Sequence, residues 1–149
     1  MSLEIEIMSQ LKEAMKAKNT IALEALRAVK SELLLAKTSG SNEELTEAQQ
    51  IALLQKLIKQ RKEAAEQFKA NGRVELEEKE LAQAEVILQF LPKQLTPEEL
   101  EAVIKEIIVE VGATSPKDMG KVMGAASAKL AGKAEGKLIS EKVKELLNN

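Results

Sequence analysis

The sequence predicts an all-α, multihelical protein in two subdomains. Three observations carry that expectation. Apolar residues recur at steps of three and four along most of the chain, the period of a helix with one buried face. The breaks between these runs carry helix-start and helix-stop residues at the expected offsets. Nowhere do apolar and polar residues alternate singly over the length of a strand.

The elements follow in order. Leu3, Ile7, Leu11 and Met15 recur every fourth residue and predict a first helix with these four facing inward. Asn19-Thr20 breaks the pattern, and Leu23, Leu26, Leu33 and Leu34 continue it in a second helix. The stretch Thr38-Ser39-Gly40-Ser41-Asn42 reads as a polar loop. Thr46-Glu47-Ala48-Gln49 then forms a capping-box signature, in which a Thr hydroxyl takes an orphan N–H and a Gln reaches back. The third helix carries Ile51, Leu54, Leu57, Ile58, Ala65 and Phe68 and stops at Asn71-Gly72. A fourth runs from about Arg73 to Phe90, with Leu76, Leu81, Ala84, Leu88 and Leu91 inward.

Leu91-Pro92-Lys93-Gln94-Leu95-Thr96-Pro97 marks the boundary, because a proline disfavours helical backbone in the residue before it. It divides a four-helix subdomain, residues 1–92, from a three-helix subdomain, residues 93–149. Thr96-Pro97-Glu98-Glu99 opens the fifth helix, with Thr as cap, Pro at the first helical position and Glu at the third. Gly112 closes it. Ser115-Pro116-Lys117-Asp118 repeats this grammar for a sixth helix ended by Gly132. Gly136 precedes the seventh, which carries Leu138, Ile139, Val143, Leu146 and Leu147.

Composition narrows the chemistry. The 149 residues include no Cys, His, Trp or Tyr, and Phe68 and Phe90 are the only aromatics. A thiol nucleophile, an imidazole base and the usual zinc, haem and iron–sulfur ligand sets are therefore excluded. No cofactor or metal is expected. Two phenylalanines cannot build the stacking platforms that readers of single-stranded RNA use. No apolar run is long enough to span a bilayer, and the start of the chain lacks a basic signal-peptide region. A soluble cytoplasmic protein is the expectation.

The near-neutral net charge of −2 hides an asymmetry. Residues 1–111 hold 15 basic and 20 acidic side chains, whereas residues 112–149 hold seven Lys and four acids. The two stretches therefore carry −5 and +3. Lys117, Lys121, Lys129, Lys133 and Lys137 fall here, interleaved with Gly120, Gly124, Gly132 and Gly136. Helix starts offer free N–H groups to phosphates, and glycines let a backbone approach closely. The functional reading is a phosphate-tracking patch. The plain alternative is solvated lysines, with Gly120 and Gly124 present to let helices pack tightly. Gly132-Lys133-Ala134-Glu135-Gly136-Lys137 lacks P-loop spacing, and Leu138 stands where a magnesium-binding Ser or Thr would be.

A secondary basic cluster, Lys56, Lys59, Arg61 and Lys62, lies on the third helix. Glu75, Glu77, Glu78 and Glu80 follow on the fourth, so charge pairing across an antiparallel hairpin is the favoured reading. Arg27 and Lys30 read as surface residues or ion-pair partners. The carboxylate pair Glu98-Glu99 is explained by a helix start, which leaves no catalytic residue to nominate.

Several segments together resemble the GatB/YqeY family. They are Leu26-Arg27-Ala28-Val29-Lys30-Ser31, Lys59-Gln60-Arg61-Lys62-Glu63 with Gln67-Phe68, and Phe90-Leu91-Pro92-Lys93-Gln94-Leu95-Thr96-Pro97. To these are added Asp118-Met119-Gly120-Lys121-Val122-Met123-Gly124 and Gly132 to Ile139. The resemblance departs at Glu135, where Asp is usual, and at Ala126-Ser127, where Met is common. It implies a free-standing YqeY-like protein, all-α and in two parts. It also implies kinship with the tail of the B subunit of the glutamine-dependent tRNA amidotransferase, a tail implicated in holding tRNA. The carbon–nitrogen ligase label, with glutamine as amido donor, belongs to that larger enzyme. This chain shows no glutaminase or ATP-activation motif and is not expected to be catalytic alone. The expected partner is tRNA; the alternatives are a protein adaptor docking on an amidotransferase or a synthetase, and an accessory component of a carbon–nitrogen ligase with glutamine as amido donor.

Overall fold

The computed structural model describes residues 2–40 and 44–148, so Ser41 and Asn42 of the predicted loop lie outside the described residues. It contains seven α-helices among the described residues. They are α1 (Leu3–Ala17), α2 (Thr20–Thr38), α3 (Glu47–Ala70), α4 (Val74–Leu88), α5 (Pro97–Val111), α6 (Met119–Lys129) and α7 (Gly136–Leu147). A 3-10 turn, Pro116–Asp118, leads into α6. No strand occurs among the described residues. Two compact units result, Met1–Leu91 and Pro92–Asn149.

In the first unit, local chemistry sets the helix ends. Asn19 caps α2, its side-chain oxygen accepting the Ala22 N–H at 3.1 Å. Thr46 and Gln49 form the capping box at α3, with Gln49 N–H donating to the Thr46 hydroxyl at 3.2 Å and Thr46 N–H to the Gln49 amide oxygen at 2.9 Å. The core gathers Ile7, Leu11, Ala14, Leu26, Val29, Leu33, Leu54, Leu57, Ile58 and Ile87. Each fully buried Leu or Ile contributes about 1.5–3 kcal/mol relative to leaving it exposed.

Three expected inward positions turn out. Met15 is 60% exposed, and Ala14 is buried in its place. A step of four residues advances about 40° beyond a full turn, so a strict four-residue series rotates off the core by its fourth member. Leu34 is 61% exposed because its neighbour Leu33 takes the core position. Leu81 is 42% exposed, and the buried face of α4 is Gln83, Ala84 and Ile87.

In the second unit, α5 opens with a complete capping box, Glu99 N–H on the Thr96 hydroxyl at 3.2 Å and Thr96 N–H on the Glu99 carboxylate at 3.1 Å. The Thr96 backbone N–H foremost, then the Thr96 side chain, hold the Glu99 carboxyl below its ordinary value. Gly112 ends the helix in the left-handed conformation at φ 68°, which costs a glycine nothing. The core is Leu100, Ile104, Ile107, Val122, Ala126, Leu130, Ala134, Ile139, Val143 and Leu147. The chain entering this unit is clasped to the α6–α7 connection. Leu95 N–H donates to the Lys133 carbonyl at 2.9 Å. The Gln94 amide donates to the Gly132 carbonyl at 2.6 Å and the Pro92 carbonyl at 3.0 Å.

Candidate nucleic-acid interface

Of the five candidate lysines, Lys117 and Lys121 flank the start of α6, Lys129 ends it, Lys133 lies in the connection that follows and Lys137 in the first turn of α7. Lys117 stands in the 3-10 turn, not in α6 itself, whose first residue is Met119. Asp118 explains the difference. Its carboxylate accepts the Thr114 N–H at 2.9 Å and the Ser115 N–H at 3.3 Å, which ties the turn to the loop before it. The Thr114 N–H foremost, then the Ser115 N–H and the nearby Lys121 ammonium, hold the Asp118 carboxyl below its ordinary value against the opposing effect of burial.

Lys121 lies in the first turn of α6 and is exposed. Val122 and Ala126 bury the inner face of this helix, which leaves Gly120, Gly124, Ser127 and Ala128 outward. A Cβ added at Gly120 or Gly124 would meet nothing within 4 Å. The plain alternative, that Gly120 and Gly124 let helices pack tightly, has no neighbouring helix to show within the unit: both face open space.

Lys129 ends α6 and is diverted. It lies about 80° around the helix from Lys121, and its ammonium meets the Glu110 carboxylate of α5 at 3.6 Å. Gly132 is buried and takes φ 77°, so it serves the turn and not a surface. Lys133 follows with an exposed side chain, while its backbone N–H and carbonyl are held by Leu130 and Leu95. Gly136 and Lys137 open α7 and are exposed, and a Cβ at Gly136 would also meet nothing within 4 Å. Glu135 takes the cap position of α7 without a side-chain cap hydrogen bond. An Asp fits that role better because its shorter side chain reaches the second and third N–H groups.

Lys117 and Lys121 thus flank the start of α6, Lys133 and Lys137 follow its end, and most of α6 lies between the two pairs in sequence.

The secondary cluster in the first unit divides differently. Lys56 is exposed, and Lys59 lies 4.0 Å from Glu63 on its own helix. Arg61 is half-buried and turns to an amide, not to an acid. Its Nε donates to the Gln83 Oε1 at 3.1 Å and its terminal nitrogen to the Leu57 carbonyl at 3.3 Å. Lys62 is also half-buried. Gln83 in turn donates to Glu24, which pairs with Lys79 at 3.1 Å. The Arg61 contact was missed from sequence because glutamine carries no charge to signal a partner. Arg27 and Lys30 are exposed on α2.

No cluster of acidic side chains suited to a metal ion occurs among the described residues. Among them no helix is long and apolar enough to cross a membrane.

Comparison with known proteins agrees along nearly the whole chain. The chain is 30% identical over 146 residues to "Altered inheritance of mitochondria protein 41, mitochondrial" of Pyrenophora tritici-repentis, covering 95% of this chain and 78% of that protein. It is 35% identical over 92 residues to an uncharacterized protein of Schizosaccharomyces pombe, covering 62% of this chain and 74% of that one. A second "Altered inheritance of mitochondria protein 41, mitochondrial", from Lachancea thermotolerans, is 29% identical over 108 residues, 71% of this chain and 58% of that protein. The profile described as "Yqey-like protein" matches residues 4–147, and the chain belongs to that family.

Proposed function

We propose that the protein is a tRNA-associated helical module that contacts sugar-phosphate backbone through its second unit. One observation carries the reading. Lys117, Lys121, Lys133 and Lys137 are all exposed, and Gly120 and Gly124 on α6 face open space, with no atom of the unit within 4 Å of a Cβ added there. Small residues let a phosphate backbone lie close, and flanking ammonium groups neutralise it. The family resemblance to the tRNA-holding tail of the amidotransferase supplies the class of nucleic acid. Phe68 and Phe90 both belong to the first unit, so binding works by shape and charge without stacked bases. Lys129 contributes less than the other four, because Glu110 already engages it.

Filter binding against total tRNA at two salt concentrations tests the proposal. Four phosphate contacts give a slope of log affinity against log salt of about −3 to −4. Lys121→Glu with Lys137→Glu should abolish retention at the higher salt. Absence of binding at low salt, or binding indifferent to salt, removes the basis for the reading. The Gly120/Gly124 face also admits a helix of a partner protein such as an amidotransferase or a synthetase. Nuclease treatment before a pull-down separates the two: a partner retained after nuclease points to a protein adaptor, and one lost with the RNA points to tRNA.

A further inference from the structure

The face of α1 turned away from its core is built as a seam. Ile5, Met8, Lys12 and Met15 are spaced three, four and three, the interval at which two helices meet along a stripe. Ile5 is 57% and Met8 is 44% exposed, and Met15 and Lys12 are exposed as well. The opposite face, Leu3, Ile7, Leu11 and Ala14, is spent in the core. An open groove of about 380 Å³ runs along the outer face, lined by Glu4, Ile5, Met8, Ser9 and Lys12. The ion pair between Glu4 and Lys37, at 3.6 Å, sets the start of α1 beside the end of α2. One turn back from Lys37 on α2, Leu34 is exposed too.

We propose that this face is a self-association surface that seats α1 of a second copy, antiparallel, in a weak symmetric dimer. Charge selects the occupant and its direction. Glu4 borders the seam at its beginning, Lys12 lies within it, and Lys16 borders its end. An antiparallel copy sets the basic end of one helix against the acidic end of the other, whereas a parallel copy sets like charges together. Ile5 then opposes Met15 of the second copy. The aliphatic stem of Lys12 lies on Met8 of the second copy, with its ammonium extended toward that copy's Glu4. A single Lys in an apolar seam fixes register at a cost in affinity. The seam spans 15 residues at most, about 22 Å, which places the buried area at the small end of interfaces, below about 1,200 Å², and makes the association a weak one.

Sedimentation equilibrium on the full chain, from about 10 μM to 1 mM, reads the proposal directly. The wild type should pass from the monomer mass toward twice that mass. Met8→Glu should remain monomeric throughout. Lys12→Glu should weaken association about tenfold, and Glu4→Lys combined with Lys12→Glu should restore it to within about threefold. These positions are exposed, so the fold survives, as circular dichroism will check, and Met8→Ser replaces Met8→Glu if the charge disturbs it. A wild type that stays monomeric at 1 mM, a dimer insensitive to Met8, or a charge exchange that restores nothing overturns the proposal, whatever else the face binds.

Discussion

The buried amide of Gln83 donates to the Glu24 carboxylate at 2.8 Å, and this contact joins α4 to α2. Its oxygen simultaneously accepts Arg61 from α3 at 3.1 Å. Among the described residues of the first unit Gln83 is the one buried polar residue, and it bonds both neighbours at once. An amide suits this position because it both accepts and donates, which neither a carboxylate nor a lysine can do when charged.

Replacing Gln83 by Leu keeps the volume and removes one contact each from Arg61 and Glu24, which keep the Leu57 carbonyl and Lys79 respectively. The expected loss is about 1–2 kcal/mol, read as a lower midpoint in urea with unchanged slope. Gln83→Glu should retain the Arg61 contact but set a second carboxylate against Glu24, so its loss should shrink at acidic pH.

Truncating Ile104 to Ala in the second unit, where the side chain is wholly buried, should cost about 2–5 kcal/mol. Truncating Val109, which is 80% exposed five residues further along α5, should change stability by less than about 0.5 kcal/mol. The two variants together calibrate how much of the unit rests on its aliphatic core.

Gly124→Ala separates folding from binding. The position is inside α6 and its Cβ would stand in open space, so the fold should gain about 0.5–1 kcal/mol from helix propensity alone. If a sugar-phosphate backbone lies against this face, tRNA affinity should fall even as the melting temperature rises.

Acid should loosen the second unit. Asp118 and Glu99 both have folded-state pKa values below their ordinary 3.8 and 4.5. A carboxyl lowered by folding contributes stability that is complete above its unfolded value and disappears as pH falls through its folded value. Thermal midpoints of the wild type should therefore drop below about pH 4.5. In Asp118→Asn with Glu99→Gln that drop should be smaller.

The helix ends were legible in the sequence because capping is local chemistry. Thr46 with Gln49 and Thr96 with Glu99 need only their own spacing to form. The family signature was legible for the same reason. Burial was harder to read, because it depends on which neighbour wins a shared face. Ala14 displaces Met15, and Gln83 takes a core position that Leu81 leaves. The open space around Gly120 and Gly124 was illegible, since a glycine reads alike whether it admits a neighbour within the unit or leaves the surface bare.

The clasp between residues 94–95 and 132–133 has a kinetic consequence. It joins positions 38 apart, between Gln94 and Gly132, so closing it requires the intervening chain to surrender its loop entropy first. Helices α5 and α6 form from local contacts sooner than this clasp can shut. The turn that carries Lys133 therefore completes its contacts only when this long-range closure is made. A polyanion gripping Lys133 would act on folding as well as on recognition, slowing the opening of the segment through which the chain enters the second unit.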